Sequence, residues 1–151
     1  MKIHNHKSIH IQSGFTLLEV MLALVIFSVG LLGLAGMQMS GLQNNNDAML
    51  RTLAYQQLYD MAERVRGNWS GYQNGDYNSL SGSVAVAACS PCTTGQQASN
   101  DFAEWETSNA TALPDGTGSV ARDPAGNVII TLNWTDRTTG ATNTASLGII
   151  P

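Results

Sequence analysis

The chain has 151 residues, a formal net charge of −4, two cysteines and three histidines, which allows one small domain and no large enzyme core. All histidines and lysines lie within the first ten residues, so the rest of the chain has five arginines against all eleven carboxylates. That distribution excludes Ser-His-Asp, Cys-His and histidine-metal sites there and disfavours nucleic-acid binding, so we expect no enzyme activity, no cofactor, no metal site and no nucleic-acid partner.

An apolar segment dominates the amino-terminal quarter of the chain. It covers residues 15–34, and its only polar members are Thr16, Glu19 and Ser28. Twenty helical residues at ~1.5 Å each would cross the ~30 Å hydrocarbon core of a membrane. Residues 1–14 are polar and basic, which by the positive-inside rule places them in the cytoplasm and the rest of the chain outside. The sequence therefore predicts a single-pass membrane protein.

Glu19 is the costly residue of this segment. An ionisable side chain inside a membrane helix costs roughly 2.5 to 3.5 kcal/mol on insertion scales, so we expect Glu19 either to find a charged partner or to extend to the cytoplasmic interface. An ordinary signal peptide, cut after Ala35, would release a soluble protein. That alternative leaves Glu19 unexplained, and the apolar run is longer than the signal-peptide norm.

The motif Gly14-Phe15-Thr16-Leu17-Leu18-Glu19 resembles the class III signal of type IV pilins and type II secretion pseudopilins. The resemblance implies that prepilin peptidase cleaves between Gly14 and Phe15 and methylates the new amino terminus of Phe15. The apolar helix is then kept, first as a membrane anchor and later as a filament core. Glu19 becomes the fifth residue of the mature chain, and we expect its carboxylate to pair with the Phe15 amine of a neighbouring subunit during assembly.

A second apolar stripe continues the helix beyond the membrane segment. Its members follow three-four spacing, which predicts one long helix over residues 16–66 with a span on the order of 75 Å. Asp47, which follows three asparagines, could cap a new helix at this point. Four glycines either bend or melt the helix locally or allow close helix packing in the membrane. The stripe is Leu50, Leu53, Ala54, Leu58, Met61 and Val65; the glycines are Gly30, Gly33, Gly36 and Gly41.

Residues 67–82 are rich in Gly, Asn and Ser and are predicted to form a loop. Its aromatic residues, Trp69, Tyr72 and Tyr77, either pin the loop to the domain or contact a partner subunit. Residues 83–87 alternate as a short strand would. The run Cys89-Ser90-Pro91-Cys92 follows.

The two cysteines have several possible uses. Cys89 and Cys92 form a Cys-x-x-Cys unit, which suggests a redox site, but the surrounding sequence has no βαβ pattern. In an oxidising compartment, two close cysteines more simply form a structural disulfide. A redox role, free thiols and metal binding remain as alternatives.

The last third of the chain predicts a helix followed by a β-meander. Residues 96–113 have a modest apolar face, and Pro114-Asp115-Gly116 makes a turn. Strands are expected at residues 118–122, 127–135 and 142–150. The core side of the second of these strands should carry Val128, Ile130, Leu132 and Trp134.

Three further stretches, residues 30–38, 54–67 and 88–120, resemble the PilV family of minor pilins. The resemblance implies an α+β, type IV pilin-like fold, in which a long amino-terminal helix packs on a small antiparallel sheet of 3–4 strands with a short second helix. The expected divisions are a cleaved leader at 1–14, a transmembrane and filament-core helix at 15–38, the outer half of the helix at 39–66 and a globular αβ-loop and β-sheet domain at 67–151.

The implied role is structural: a minor pilin that helps prime assembly of the type IV pilus and enters the filament, supporting twitching motility and adhesion. The expected partners are prepilin peptidase, other minor pilins, the major pilin and the inner-membrane assembly platform. The expected location is the inner membrane, with the carboxyl-terminal domain in the periplasm, and then the pilus at the cell surface. The alternatives are a minor pseudopilin of type II secretion and an adhesin or other binding module displayed on the pilus.

Overall fold

The computed structural model describes residues 14–150, so the predicted leader lies outside the described residues except for Gly14, as does Pro151. The chain divides into two units at Leu42 and Gln43. We call residues 14–42 the amino-terminal segment and residues 43–150 the body. Helix α1, Leu17–Gly67, contributes to both units.

In the amino-terminal segment, helix α1 begins directly after Thr16. The Thr16 hydroxyl accepts a hydrogen bond from the backbone N–H of Glu19 at 3.2 Å, which satisfies one of the free donors of the first turn. The helix is continuous through Asp47, and no new helix begins there. Every residue of the amino-terminal segment is exposed.

In the body, the hydrophobic core joins two helices to a sheet. The outer part of α1 buries five residues, and helix α3, Thr94–Ala112, buries Phe102 and Trp105 against them. Helix α3 starts with a capping box, in which the side chains of Thr93 and Gln96 each accept a hydrogen bond from the backbone of the other. The buried residues of α1 are Ala54, Leu58, Met61, Ala62 and Val65.

Four antiparallel strands form the sheet in the order β1-β2-β3-β4. They are β1 Ser79–Ser81, β2 Thr117–Arg122, β3 Val128–Thr135 and β4 Thr142–Ile149. Strand β3 alternates strictly between buried and half-buried residues, and its buried residues are the four predicted from the sequence. With α1 and α3 covering one face of this sheet, the predicted α+β pilin fold is confirmed.

The region predicted as a loop, residues 67–82, contains two regular elements instead. A short helix, α2, covers Trp69–Asn74, because the Asn68 side chain caps its first turn and Gly75 ends it in the left-handed conformation at φ 85°. Strand β1 follows at Ser79–Ser81.

The prediction of a strand at residues 83–87 was wrong, because these residues form no strand. Gly82 has φ 65°, which turns the chain away from the β conformation as soon as β1 ends. At Ala87, the Asn100 side chain forms hydrogen bonds with both backbone groups: it accepts from the N–H at 2.8 Å and donates to the C=O at 3.0 Å. A side chain therefore occupies the place that a partner strand would have.

Candidate processing and assembly segment

Gly14 and Phe15 precede the first turn of α1 and are open to solvent. Phe15 is 83% exposed. A Cβ atom added at Gly14 would meet nothing within 4 Å, and Gly14 is not among the described glycines with positive φ. Neither packing nor backbone conformation among the described residues therefore requires glycine at this position.

Glu19 lies in the first turn of α1, where the N–H groups of the helix point toward the amino terminus. A carboxylate in this turn is favoured by the helix dipole, and the hydrogen bond from the Glu19 N–H to the Thr16 hydroxyl holds the turn in place. The ion pairs found between described residues do not include Glu19.

The side chain of Glu19 belongs to a shallow groove along one side of the helix. Residues at four-residue spacing form this groove, and its lining is almost wholly apolar apart from the carboxylate. A charged group is therefore set into an apolar stripe, which is the arrangement that needs an oppositely charged partner once water is removed. The lining residues are Phe15, Glu19, Val20, Ala23, Leu24 and Phe27.

Within residues 14–150, no other part of the chain covers the apolar surface around this groove. Helix α1 is the one helix among the described residues that is long and apolar enough to cross a membrane, judged by length and composition, and none of its most apolar 18-residue window is buried. The glycines of this stretch meet nothing within 4 Å of an added Cβ atom. The segment therefore presents its whole circumference to lipid or to another protein.

The family described as "Prokaryotic N-terminal methylation motif" matches residues 9–35. The chain carries a prepilin-type signal. The matched stretch includes Gly14 and the whole apolar segment of residues 15–34, and it supports a pilin or pseudopilin subunit that is processed by prepilin peptidase and anchored in the membrane. Such subunits are structural and in general have no enzymatic activity. No curated protein matches the chain, and no solved structure matches it.

Cys89 and Cys92 are joined by a disulfide just before α3. The four-stranded sheet is antiparallel throughout, so the described part of the chain lacks the parallel βαβ unit of thioredoxin-like redox proteins. No group of three or more His, Cys, Asp or Glu side chains among the described residues could hold a metal ion. The disulfide closes a short loop in the segment that leads into α3.

A charge cluster that the sequence did not reveal connects α1 to α3. The Arg64 guanidinium lies 2.9 Å from Asp60, 3.0 Å from Glu104 and 3.7 Å from Asp101. Burial acts to lower the pKa of Arg64, but hydrogen bonds to Glu104 and Asp60 outweigh it and hold that pKa above its ordinary value. The sequence does not reveal this cluster, because the partners of Arg64 on α3 are about forty residues away along the chain.

The same cluster extends into the core through Tyr77. The Tyr77 hydroxyl donates to Asp101 at 3.1 Å and accepts from the Asn68 side chain at 3.1 Å. Burial is the main cause that raises the pKa of Tyr77 and also that of Asp101. Because Asn68 also caps α2, this one network ties α1, α2 and α3 together.

The three aromatic residues of residues 67–82 differ in burial and in their contacts. Tyr77 is buried, and Tyr72 donates to the Gly126 carbonyl at 2.9 Å while the Arg122 guanidinium lies 4.6 Å from its ring centre. Trp69 stacks on Tyr72 with ring centres 5.0 Å apart but remains 44% exposed. Tyr72 and Tyr77 therefore anchor residues 67–82 to the rest of the body, which is one of the two uses predicted for these aromatic residues.

Proposed function

We propose that the protein is a minor pilin of the PilV type, a structural subunit that helps prime assembly of the type IV pilus and is incorporated into the filament. The observation that carries the proposal is the methylation motif at residues 9–35, with Glu19 set in an apolar groove one turn after Phe15. The resemblance of residues 30–38, 54–67 and 88–120 to PilV supports the finer assignment.

In this proposal, prepilin peptidase cuts the Gly14–Phe15 bond and methylates the new amine of Phe15. Both residues are accessible, and the glycine has no structural purpose within the described fold. Cleavage places a cation at the amino end of α1, where the helix dipole disfavours positive charge. Glu19 of a neighbouring subunit neutralises that cation, so processing creates the partner that the carboxylate needs.

We further propose that residues 15–38 span the inner membrane, with the amino terminus in the cytoplasm and the carboxyl-terminal domain in the periplasm. Residues 39–66 form the outer half of the helix and residues 67–151 the globular domain. The subunit waits in the membrane until other minor pilins, the major pilin and the assembly platform draw it into the filament. There the exposed apolar surface of the segment becomes helix–helix contact, which supports twitching motility and adhesion.

The decisive experiment compares two substitutions that each remove one polar side chain from the same helix. Glu19→Val should insert and be cleaved normally but be largely missing from sheared surface fibres. Ser28→Val is the matched control, because the Ser28 hydroxyl only donates to the Leu24 carbonyl at 2.7 Å, and this variant should enter fibres normally. Immunoblots of membranes and fibres measure both quantities, and normal incorporation of Glu19→Val would overturn the pairing.

Mass spectrometry of the same fibres tests the processing step. A chain that begins with methylated Phe15 supports the proposal, and a chain that retains Gly14 or begins after Ala35 contradicts it.

A minor pseudopilin of type II secretion is the second candidate, because the methylation motif occurs in both classes. Deletion of the gene separates them. Loss of surface pili and twitching supports the pilus assignment, whereas loss of exoprotein release with normal pili supports the pseudopilin.

A further inference from the structure

Strand β4 forms one edge of the sheet, and its outer side is open. The hydrogen bond from the Asp136 N–H to the Ala141 carbonyl, at 2.8 Å, sets the phase of the antiparallel ladder that continues between β3 and β4. Bonded and non-bonded pairs alternate in such a ladder. The residues that direct their N–H and C=O groups away from β3 are therefore Thr142, Thr144, Ser146 and Gly148, and all four are exposed.

This edge has none of the usual protection against pairing with another chain. Edge strands are commonly kept single by charged side chains, prolines, bulges or short length. Strand β4 has eight residues in unbroken register with β3. It has no proline, and residues 138–150 have no charged side chain. Ile150, just beyond the strand, is 83% exposed.

The opposite edge of the sheet, at β1, is open in a complementary way. The Arg122 N–H donates to the Asn78 carbonyl at 3.1 Å, so Leu80 bonds to β2 while Ser79 and Ser81 direct their backbone groups outward. Residues 77–100 have no charged side chain. The edge ends at Gly82, whose φ of 65° turns the chain out of the β conformation.

The direction of the strands decides which edges can meet. Strands β1 and β4 are antiparallel to each other, because three antiparallel pairings separate them. Two copies related by a sideways translation would therefore place β4 of one beside β1 of the other in antiparallel orientation, with the helices on the same face and α1 running in the same direction. Pairing of β4 with β4 would instead need a two-fold axis between the copies, and it would leave both β1 edges without a partner.

We propose that the open edge of β4 binds the β1 edge of a second copy of this chain, along Ser79–Ser81, so that the sheet continues from one copy into the next. The interface is heterologous, because each copy uses a different edge on each side, and such contacts propagate head to tail. The contact serves a pilin and a pseudopilin subunit equally.

Site-specific photocrosslinking of the full chain tests this interface. Two copies with different affinity tags are expressed together in bacterial membranes, and one has p-benzoylphenylalanine in place of Ser146. Illumination should join the two copies, and mass spectrometry of the digested adduct should locate the link within residues 78–82 of the second copy, that is, at β1 and the residues that flank it. A link to β4 of the second copy, a link to other proteins alone, or no adduct would overturn the proposal.

A pair of lysine substitutions separates the edge from the rest of the sheet surface. With the photoreactive residue at position 144, Ser146→Lys should lower the adduct yield about tenfold, because a charge on the edge opposes strand addition. Thr131→Lys is the matched control, since Thr131 is the register partner of Ser146 on β3 but has no free edge. Equal yields from the two variants, whether both high or both low, would contradict the proposed edge contact.

Discussion

Replacement of Gly118 by alanine should destabilise the body strongly, because this glycine leaves room for the largest buried side chain. A Cβ atom at Gly118 would overlap the six-membered ring of Trp105. Trp105 is fully buried, and its indole N–H donates to the Gln57 carbonyl of α1 at 2.8 Å. The indole cannot move away from the new methyl group without weakening this link between α3 and α1.

The magnitude follows from two contributions. Overpacking of a well-filled core costs ~1–3 kcal/mol, and loss of the buried hydrogen bond to Gln57 adds about 1 kcal/mol. Gly118→Ala should therefore lower the free energy of unfolding by roughly 2–4 kcal/mol, which corresponds to a fall in Tm of roughly 10–20 °C for a domain of this size.

Urea unfolding of a fragment from residue 43 onward, followed by tryptophan fluorescence, measures this loss. The fragment is suitable because every residue of the described core lies beyond residue 49. Gly67→Ala is the matched control: its Cβ atom meets nothing within 4 Å and its φ is not positive, so it should stabilise by about 0.4–1 kcal/mol.

A double-mutant cycle identifies the cause. If the clash with the indole ring is responsible, Gly118→Ala should cost much less in a Trp105→Phe background, where the smaller ring leaves space. A loss below about 0.5 kcal/mol in the original background, or equal losses in both backgrounds, would refute the packing argument.

Three further predictions concern the contacts that hold the body together. Burial raises the pKa of Asp101 above 3.8, so its contribution to stability is present below that pH and is lost as the pH rises through the raised value; Asp101→Asn should remove this part of the pH dependence in urea titrations across acidic pH. The Cys89→Ser/Cys92→Ser double variant should lose ~2 kcal/mol, as expected for closing so short a loop, while an activity in a dithiol exchange assay that depends on these cysteines would contradict a purely structural disulfide. Tyr72→Phe should cost about 1 kcal/mol through its hydrogen bond to Gly126, and an unchanged melting temperature would show that the ring alone holds the region in place.

The parts of the fold that were predicted correctly depend on local periodicity. Strand β3 has a large apolar residue at every second position from Val128 to Trp134, so its four buried residues could be predicted from the sequence. Helix α3 was predicted from its apolar face and was found within two residues of the expected start. The prepilin signal was equally local, since Gly14, Phe15 and Glu19 lie within six consecutive positions.

The parts that were missed depend on contacts between distant residues. The sequence around residues 83–87 does not predict the hydrogen bonds between the Asn100 side chain and the backbone N–H and C=O of Ala87. These bonds use groups that a neighbouring strand would otherwise pair with. The ion pairs of Arg64 with Asp101 and Glu104 join residues about forty positions apart and need the packed helices to bring them together. Helix α2 could have been predicted from local sequence, because Asn68 and Gly75 are residue types that commonly cap the start and the end of a helix.

The absence of any residue before Leu50 from the described core has a consequence for genetics. Substitutions in the body act through folding, so a random mutant library should yield body variants that are degraded and scarce in the cell. Substitutions in residues 14–42 leave that core intact, so defective variants there should accumulate to normal levels and yet fail to leave the membrane. Cellular abundance and surface display, scored together for each variant, would therefore sort the chain into a portion selected for stability and a portion selected for assembly.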